Sequence, residues 1–493
     1  MRFFSTLFTF FLTAALFGET LFVRPYDDSK PVTKALVKSC EIESIYKIKR
    51  SSFYAVHTKN SLKSATCLKA LPMIDSVEAD KKIDITFKSN DPYFKNQWHL
   101  QNTGQRGTAG NDARVAEAWE IIEELGLEPG KGVKIGIIDD AFDLHHPDME
   151  GKFLKGYDLE DDDDYPYADE NEPHGTCVSG VAAAVRDNKT GVAGGCPGCK
   201  IVPVRAGSSF GEGEKMALAF NFLLDRGVHI ITNSWGPADN SGHVEMPEVL
   251  QEIIGHARKY DRDGLGVVIF FAAGNGNEDI SADESFDGFA ANENVIAVGA
   301  VNAYGIRSNY SDFGRDLDIL SPSSDTDSDY LWNPFAIETT KDGIWTIDAR
   351  SYFGYSSTDY TGFFGGTSSA TPLAASIAAL LIGAYPQLSR DELYEILTTT
   401  ADKVSPNDAM YDENGFSEKY GYGRINAAAA VSELCKRHEC TGGLPEIEEE
   451  TYPAEELDYE LTDSDMTEFP DDDLAPVKVK GDGCSTTFID WRF

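Results

Sequence analysis

Short β-branched runs, separated by windows of helical periodicity, constrain this chain more than any other feature in it. Val133–Ile138, Ile201–Val204, Val228–Thr232, Val267–Phe271 and Val295–Val298 are each four to six residues long and rich in Val, Ile and Phe. Between most of them lie amphipathic windows such as Gly213–Asp225 and Pro247–Tyr260. Strand–helix alternation of this kind predicts an α/β fold of three layers: a doubly wound, mostly parallel sheet with helices on both faces. Such sheets place their functional groups at the carboxyl ends of the strands.

The alternating region runs from about residue 83 to 434, and the rest of the 493 residues divides around it. Met1-Arg2, an apolar run from Phe3 to Phe17 and then Gly18 read as a secretory signal peptide over 1–18. The run is shorter than the roughly 20 residues a membrane span needs, so an exported chain without a membrane anchor is expected, and no later window reads as a span. Residues 19–82 read as a small α+β unit, bounded by the turn signal Ser89-Asn90-Asp91-Pro92. Residues 435–493 form an extension in which 445–474 carries fourteen acids and no Lys or Arg, the pattern of a solvated, disordered acidic tail. Beyond it, residues 477–493 alternate Val and Lys and are expected to dock as a strand.

With 43 Lys+Arg against 82 Asp+Glu, the net charge is −39. That argues against nucleic acid as a main partner, since such binding needs cationic side chains that displace phosphate counterions. Eight cysteines in an exported chain predict disulfides. Cys40 with Cys67 and Cys435 with Cys440 are local pairs, and Cys196-Pro-Gly-Cys199 is expected as a tight surface disulfide, because no second Cys/His pair at ligand spacing supports zinc.

Four segments carry chemistry. Asp139-Asp140 ends the first predicted strand, and His174-Gly175-Thr176 opens an Ala/Gly-rich helix. Gly365-Gly-Thr-Ser368 opens a strongly apolar helix, where a Ser gains from unpaired backbone N–H groups. Asn275, in Ala272-Ala-Gly-Asn275-Gly276, ends another strand and is suited to donate an amide proton to developing negative charge. Singly, a strand-end Asp or a helix-start Ser is as well explained as a cap. Together they supply an orienting acid, a base, an oxyanion donor and a nucleophile, in the order Asp, His, Asn, Ser.

On these motifs the chain resembles the subtilisin-like serine proteases over roughly residues 20–434. Asn90-Asp-Pro-Tyr-Phe and Gln97-Trp-His-Leu-Gln-Asn102 resemble the start of the mature protease domain. Within that group the closest resemblance is to the kexin/furin-type proprotein convertases, carried by Asp139-Asp140, by Gly156–Asp163 followed by Pro166, and by Ser234-Trp235-Gly236-Pro-Ala-Asp239. The resemblance implies a secreted serine endopeptidase with Asp139, His174 and Ser368 as its triad and Asn275 at the oxyanion. It also implies polypeptide substrates, a monomer, and residues 19–82 as a propeptide that inhibits the enzyme and assists its folding. Asp239 and Asp287 would floor a pocket for a basic side chain, and Asp140 and Glu245 would line neighbouring subsites. Lys81-Lys82 then reads as a self-processing site, with Lys49-Arg50 as a second cut.

Ca²⁺ is the implied cofactor. Asp91, Asp148 and Asn188, with the carbonyls of Arg186, Thr190 and Val192, match one site; Asp239, Asp283 and Asp312 would form a second, and Asp162 or Asp163 a third. The chain departs from the convertase pattern at Ala141, where Gly is expected. The 59 residues after Leu434 also leave no room for the β-sandwich domain that follows in convertases. Two alternatives stay open: a broad-specificity degradative protease, and a catalytically silent binding protein of the same fold.

Overall fold

The computed structural model describes residues 20–26, 32–33, 38–48, 51–58, 61–79, 89–167, 172–207, 211–325, 343–350 and 354–453. The expected signal peptide, Lys49-Arg50, Lys81-Lys82 and everything after Pro453 lie outside these residues. The chain divides into two compact units, residues 1–86 and 87–493.

In the first unit, β1 (Thr20–Pro25), β2 (Ile42–Lys47), β3 (Tyr54–Thr58) and β4 (Ile74–Ala79) form an antiparallel sheet of order β2-β3-β1-β4, with α1 (Ser61–Lys69) between β3 and β4. Leu21 and Val23, two apart on β1, are both buried with Val56 and Leu68, which is the two-residue period of a half-buried strand. The Cys40–Cys67 disulfide ties α1 to the segment before β2. This is the small α+β unit that the sequence predicts.

The second unit is built on seven parallel strands. These are β5 (Lys134–Asp139), β6 (Tyr157–Asp158), β7 (Lys200–Arg205), β8 (Ile230–Asn233), β9 (Val268–Ala272), β10 (Ile296–Val301) and β11 (Ile319–Pro322), in the order β11-β10-β9-β8-β5-β7-β6. On one face lie α2 (Val115–Glu124) and α3 (His174–Ala183); on the other lie α4 (Gly213–Asp225) and α5 (Glu248–Tyr260). A hairpin of β12 (Ile344–Ile347) and β13 (Tyr360–Phe364) leads into α6 (Gly366–Ala384), and α7 (Arg390–Thr399), α8 (Pro406–Ala409) and α9 (Ala427–Arg437) complete the unit.

Burial on both faces explains why the strands read as continuous apolar runs. Ile135 and Ile137 of β5 face the core shared with α3 and α6, while Ile138 faces the core shared with α4 and α5. Gly136 leaves space on the second face: a Cβ there would lie 2.7 Å from Leu223 Cδ1 of α4. From β5 the chain adds β7 and β6 on one side and β8 to β11 on the other, so the order reverses at the β5/β8 boundary. Ligands of such sheets bind outside the carboxyl ends of the strands at that reversal.

Three expectations need correction. The helix α6 is long and apolar enough by composition to cross a membrane, with a mean hydropathy of 1.4, yet it is buried throughout its apolar window. Its hydropathy comes from being the central helix of the core. Cys196–Cys199 is a disulfide as expected, and so is Cys435–Cys440, but the former is fully buried, because Gly130 passes over it with no side chain to spare. The third correction concerns the acidic tail, whose first part packs onto the domain. Glu449 pairs with Lys134 and Arg226, Thr451 forms a bridge with Leu154, and Tyr452 is buried, with its hydroxyl donating to the Asp164 carbonyl. Acids at 446 and 449 therefore answer surface lysines and an arginine instead of repelling into solvent.

Candidate active site

Asp139 is the last residue of β5 and His174 the first of α3, and the fold brings them together: His174 Nδ1 lies 2.7 Å from Asp139 Oδ1. Both side chains are buried. Burial disfavours the His174 imidazolium, but the Asp139 carboxylate, by its charge and its hydrogen bond, and Asp140 outweigh it and raise the pKa above 6.5. His174 Nε2 is buried and has no hydrogen-bond partner among the described residues, so it is available to take a proton. The ring packs edge-on against Phe364, 5.5 Å between centroids.

Ser368 stands in the first turn of α6, which begins just after β13. Gly366 supplies the turn with φ +69°, a left-handed conformation that favours glycine. Ser368 is 4% exposed; its Oγ donates to the Ser234 carbonyl at 3.4 Å, and its own carbonyl accepts from Ser234 Oγ at 3.0 Å. Ser234 follows β8, the strand beside β5, so this pair of contacts seats the serine at the strand ends that carry Asp139. Asn275 follows β9. Its Oδ1 accepts from Thr367 N at 2.8 Å and Thr367 Oγ1 at 3.1 Å, which fixes the amide plane and leaves Nδ2 to donate elsewhere. Thr367 is thus a site residue that sequence reasoning missed, although its place directly before Ser368 was visible.

The predicted subsite acids have different surroundings. Asp287 accepts from Phe289 N and Ala290 N through Oδ1, and its Oδ2 faces Gly236, where a Cβ would sit 3.6 Å away. Burial pushes its pKa up to about 7. Asp239 accepts from Asn275 N at 3.2 Å; burial first, then Glu278, raise it to about 6. Neither forms an ion pair among the described residues. Trp235, whose Nε1 donates to the Ile138 carbonyl, packs on Phe271 and Phe289 and holds the Ser234–Gly236 segment against the sheet. Glu245 is exposed and pairs with His243 at 2.8 Å. Asp140 is turned inward: its carboxylate accepts from the backbone N–H groups of Ala141, His174 and Gly175. Burial first and Asp139 second push its pKa up to about 7.

The first calcium set converges on the loop 186–192. Asp91 accepts from the amides of Asp187, Asn188 and Lys189, Asn188 Nδ2 donates to Asp148 at 2.8 Å, and Asp148 also accepts from Val192 N. Asp91 and Asp148 are buried and repel each other; burial, partly offset by these hydrogen bonds, raises both, Asp148 to about 7. No Lys or Arg pairs with either among the described residues. Two buried carboxylates with an amide oxygen and loop carbonyls are a donor set that fits a hard divalent cation. Of the second set, Asp312 accepts from Glu278 N and is raised to about 8 by burial and by neighbouring acids, Asp239 among them, whereas Asp283 meets His243 through its carbonyl. Among the described residues no three His, Cys, Asp or Glu side chains could share one metal ion. Asp162 and Asp163 lie on the exposed turn after β6, where Asp162 accepts from Tyr157 Oη and Asp163 from Tyr165 N. The acids beside them are held instead by the buried Arg205, which pairs with Asp158 and Glu172, both at 2.9 Å.

Residues 130–423 match the Subtilase family. The chain belongs to that family. The chain is 36% identical over 360 residues to a calcium-dependent protease of Nostoc sp., covering 69% of this chain and 51% of that protein. Neuroendocrine convertase 2 of Bos taurus is 31% identical over 382 residues, 73% of this chain and 56% of the relative. The subtilase described here thus spans about half the length of these relatives. Among solved structures, the serine protease of Aeromonas sobria in complex with its chaperone superposes with a TM-score of 0.60 at 23% identity, over 73% of this chain and 70% of that one, and so shares its fold.

Proposed function

We propose that this subtilase is a calcium-binding serine endopeptidase, exported as a zymogen, that hydrolyses peptide bonds after basic residues. The observation that carries the peptidase reading is the buried Asp139–His174 contact of 2.7 Å, on the same rim as Ser368 and the anchored Asn275 amide. Ser368 Oγ turns from the Ser234 carbonyl to the scissile carbonyl while His174 Nε2 takes its proton. Asn275 Nδ2 and the Ser368 backbone N–H donate to the oxyanion, and the imidazolium, stabilised by Asp139, returns the proton to the leaving amine. Water then repeats the sequence on the acyl-enzyme.

Basic specificity is supported by Asp287 and Asp239, two part-buried carboxylates with no cation of their own among the described residues. A buried anion favours Lys or Arg and penalises an uncharged side chain that leaves it unpaired. Calcium would be held by Asp91, Asp148, Asn188 and the carbonyls of Arg186, Thr190 and Val192. When bound it neutralises two carboxylates that otherwise repel and clamps the loop 186–192. The calcium-dependent relative supports that reading. Export rests on the apolar start of the chain, and the propeptide role on the separate first unit with Lys81-Lys82 at its end.

A fluorogenic peptide pair ending in Lys-Arg or in Phe-Leu tests the specificity. Preferential cleavage after Arg is expected, and preference for the Leu peptide defeats it. Ser368→Ala is expected to leave the precursor uncut; unchanged conversion would show that another protease performs it.

A further inference from the structure

We infer that Asp140 is a positioning residue for the catalytic histidine, holding the start of the helix that carries it. This deepens the peptidase reading of the site and is independent of basic specificity. The first N–H groups of an α-helix have no partner inside the helix and need one outside. In α3 the first two of those groups belong to His174 itself and to Gly175. The residue before them, Pro173, provides no side-chain cap. The acceptor comes from 34 residues upstream. Asp140 Oδ2 accepts from His174 N at 3.0 Å and Oδ1 from Gly175 N at 2.7 Å.

The geometry makes Asp139-Asp140 a single clamp. The first carboxylate holds the ring of His174 and the second holds its backbone, so ring and helix start are referenced to the same strand end. Gly175 lets the two elements close: a Cβ there would lie 2.5 Å from the Ala141 carbonyl oxygen and 2.9 Å from Asp139 Cβ. One further tie exists, from Asp143 N to Thr176 Oγ1 at 2.8 Å, and it reaches the helix beyond the catalytic residue. Two carboxylate oxygens offer about four acceptor sites. Three backbone N–H groups, those of Ala141, His174 and Gly175, already use them. A substrate cation therefore finds this carboxylate largely committed, and its main work is to fix His174. A base displaced by about 1 Å costs on the order of a hundredfold in rate.

The experiment compares Asp140→Ala and Asp140→Asn with wild type in three assays. The first is the rate of labelling by a fluorophosphonate, which reacts with the activated serine and fills no specificity pocket. The other two are kcat and KM for peptides cleaved after Arg, with Lys or with Ala as the preceding residue. Asp140→Ala is expected to slow labelling by about tenfold to a hundredfold and to lower kcat equally for both peptides, with KM little changed. Asp140→Asn keeps one acceptor oxygen and the residue's shape, and is expected to fall in between. Loss of the negative charge should also move the acid limb of kcat/KM to lower pH, because Asp139 and Asp140 together raise the His174 pKa. Thermal unfolding checks that each variant is folded, and Asp140→Asn carries the test if the Ala variant is not. Unchanged labelling in the folded variants, with a loss confined to KM of the Lys peptide, overturns the proposal and leaves Asp140 as a subsite acid. A wild-type protein that labels but cuts neither peptide refutes basic specificity and leaves this inference to be decided by the labelling rates.

Discussion

Replacing Asp287 by Asn should convert a charge-selective pocket into a nearly neutral one without disturbing the fold around it. The retained Oδ1 still accepts from Phe289 N and Ala290 N, so the turn that begins at Asp287 keeps its hydrogen bonds. What is lost is the charge on Oδ2, the oxygen that faces Gly236. Removing one partner of a buried, hydrogen-bonded charge pair costs roughly 2–5 kcal/mol. The lower end applies here, because Asp287 is part-exposed. About 2–3 kcal/mol corresponds to roughly a 30- to 150-fold fall in kcat/KM for an Arg peptide. A matched Leu peptide should be unaffected or slightly improved, since it no longer leaves an anion unpaired. The assay is the ratio of kcat/KM for the two peptides in wild type and variant at pH 8, where Asp287, at about 7, is mostly ionised even before substrate binds. An Arg-to-Leu ratio that moves less than about threefold would refute the placement of Asp287 in the pocket.

Catalysis needs neutral His174, and its pKa is raised above 6.5, so kcat/KM should fall as pH drops through a value above 6.5; a limb below that value contradicts the Asp139 contact as the dominant influence. In metal-free protein, Asp148 has a folded pKa near 7 against 3.8 unfolded, so the native state binds more protons between those values and stability should decline as pH rises from 4 to 7. Calcium should restore the loss, read as a rise in melting temperature at pH 7 that Asp148→Asn abolishes; identical melting with calcium and with chelator would exclude the site. Tyr452→Ala should raise hydrogen exchange across residues 445–453 while the melting temperature changes little. Ordering those residues costs about 1–2 kcal/mol each and nearly offsets their contacts, so the segment detaches before the domain unfolds.

Much of this was legible because the period of burial is written directly into the side chains. Runs such as Val133–Ile138 and Val295–Val298 mark strands buried on both faces, and the observed strands Lys134–Asp139 and Ile296–Val301 fall on them with only their ends displaced. Strand-end placement of Asp139 and helix-start placement of His174 were local signals, whereas their contact was implied only by the resemblance to the subtilisin-like proteases. The segment after Leu444 was illegible for the opposite reason. Fourteen acids without a base among residues 445–474 look like a solvated tail, and only the fold shows that Lys131, Lys134 and Arg226 lie where Glu446 and Glu449 arrive.

The acids make the same point more sharply, since one functional group meets four fates in this chain. Asp139 orients an imidazole, and Asp140 beside it caps a helix. Asp158 and Glu172 neutralise Arg205, an internal cation. Asp91, Asp148, Asp239 and Asp287 form no ion pair among the described residues, although Lys152 lies near enough to Asp148 to favour its charge. What separates these fates is whether a carboxylate's charge is already answered inside the fold. A buried carboxylate with no cation inside the fold is a candidate to receive one, and hydrogen bonds alone do not decide it, since Asp140 and Asp91 each accept from three backbone N–H groups. On the proposed function, the loop 186–192 would receive the metal ion and the carboxylate beside Gly236 a basic side chain of the substrate, whereas Asp162 and Asp163 lie on an exposed turn.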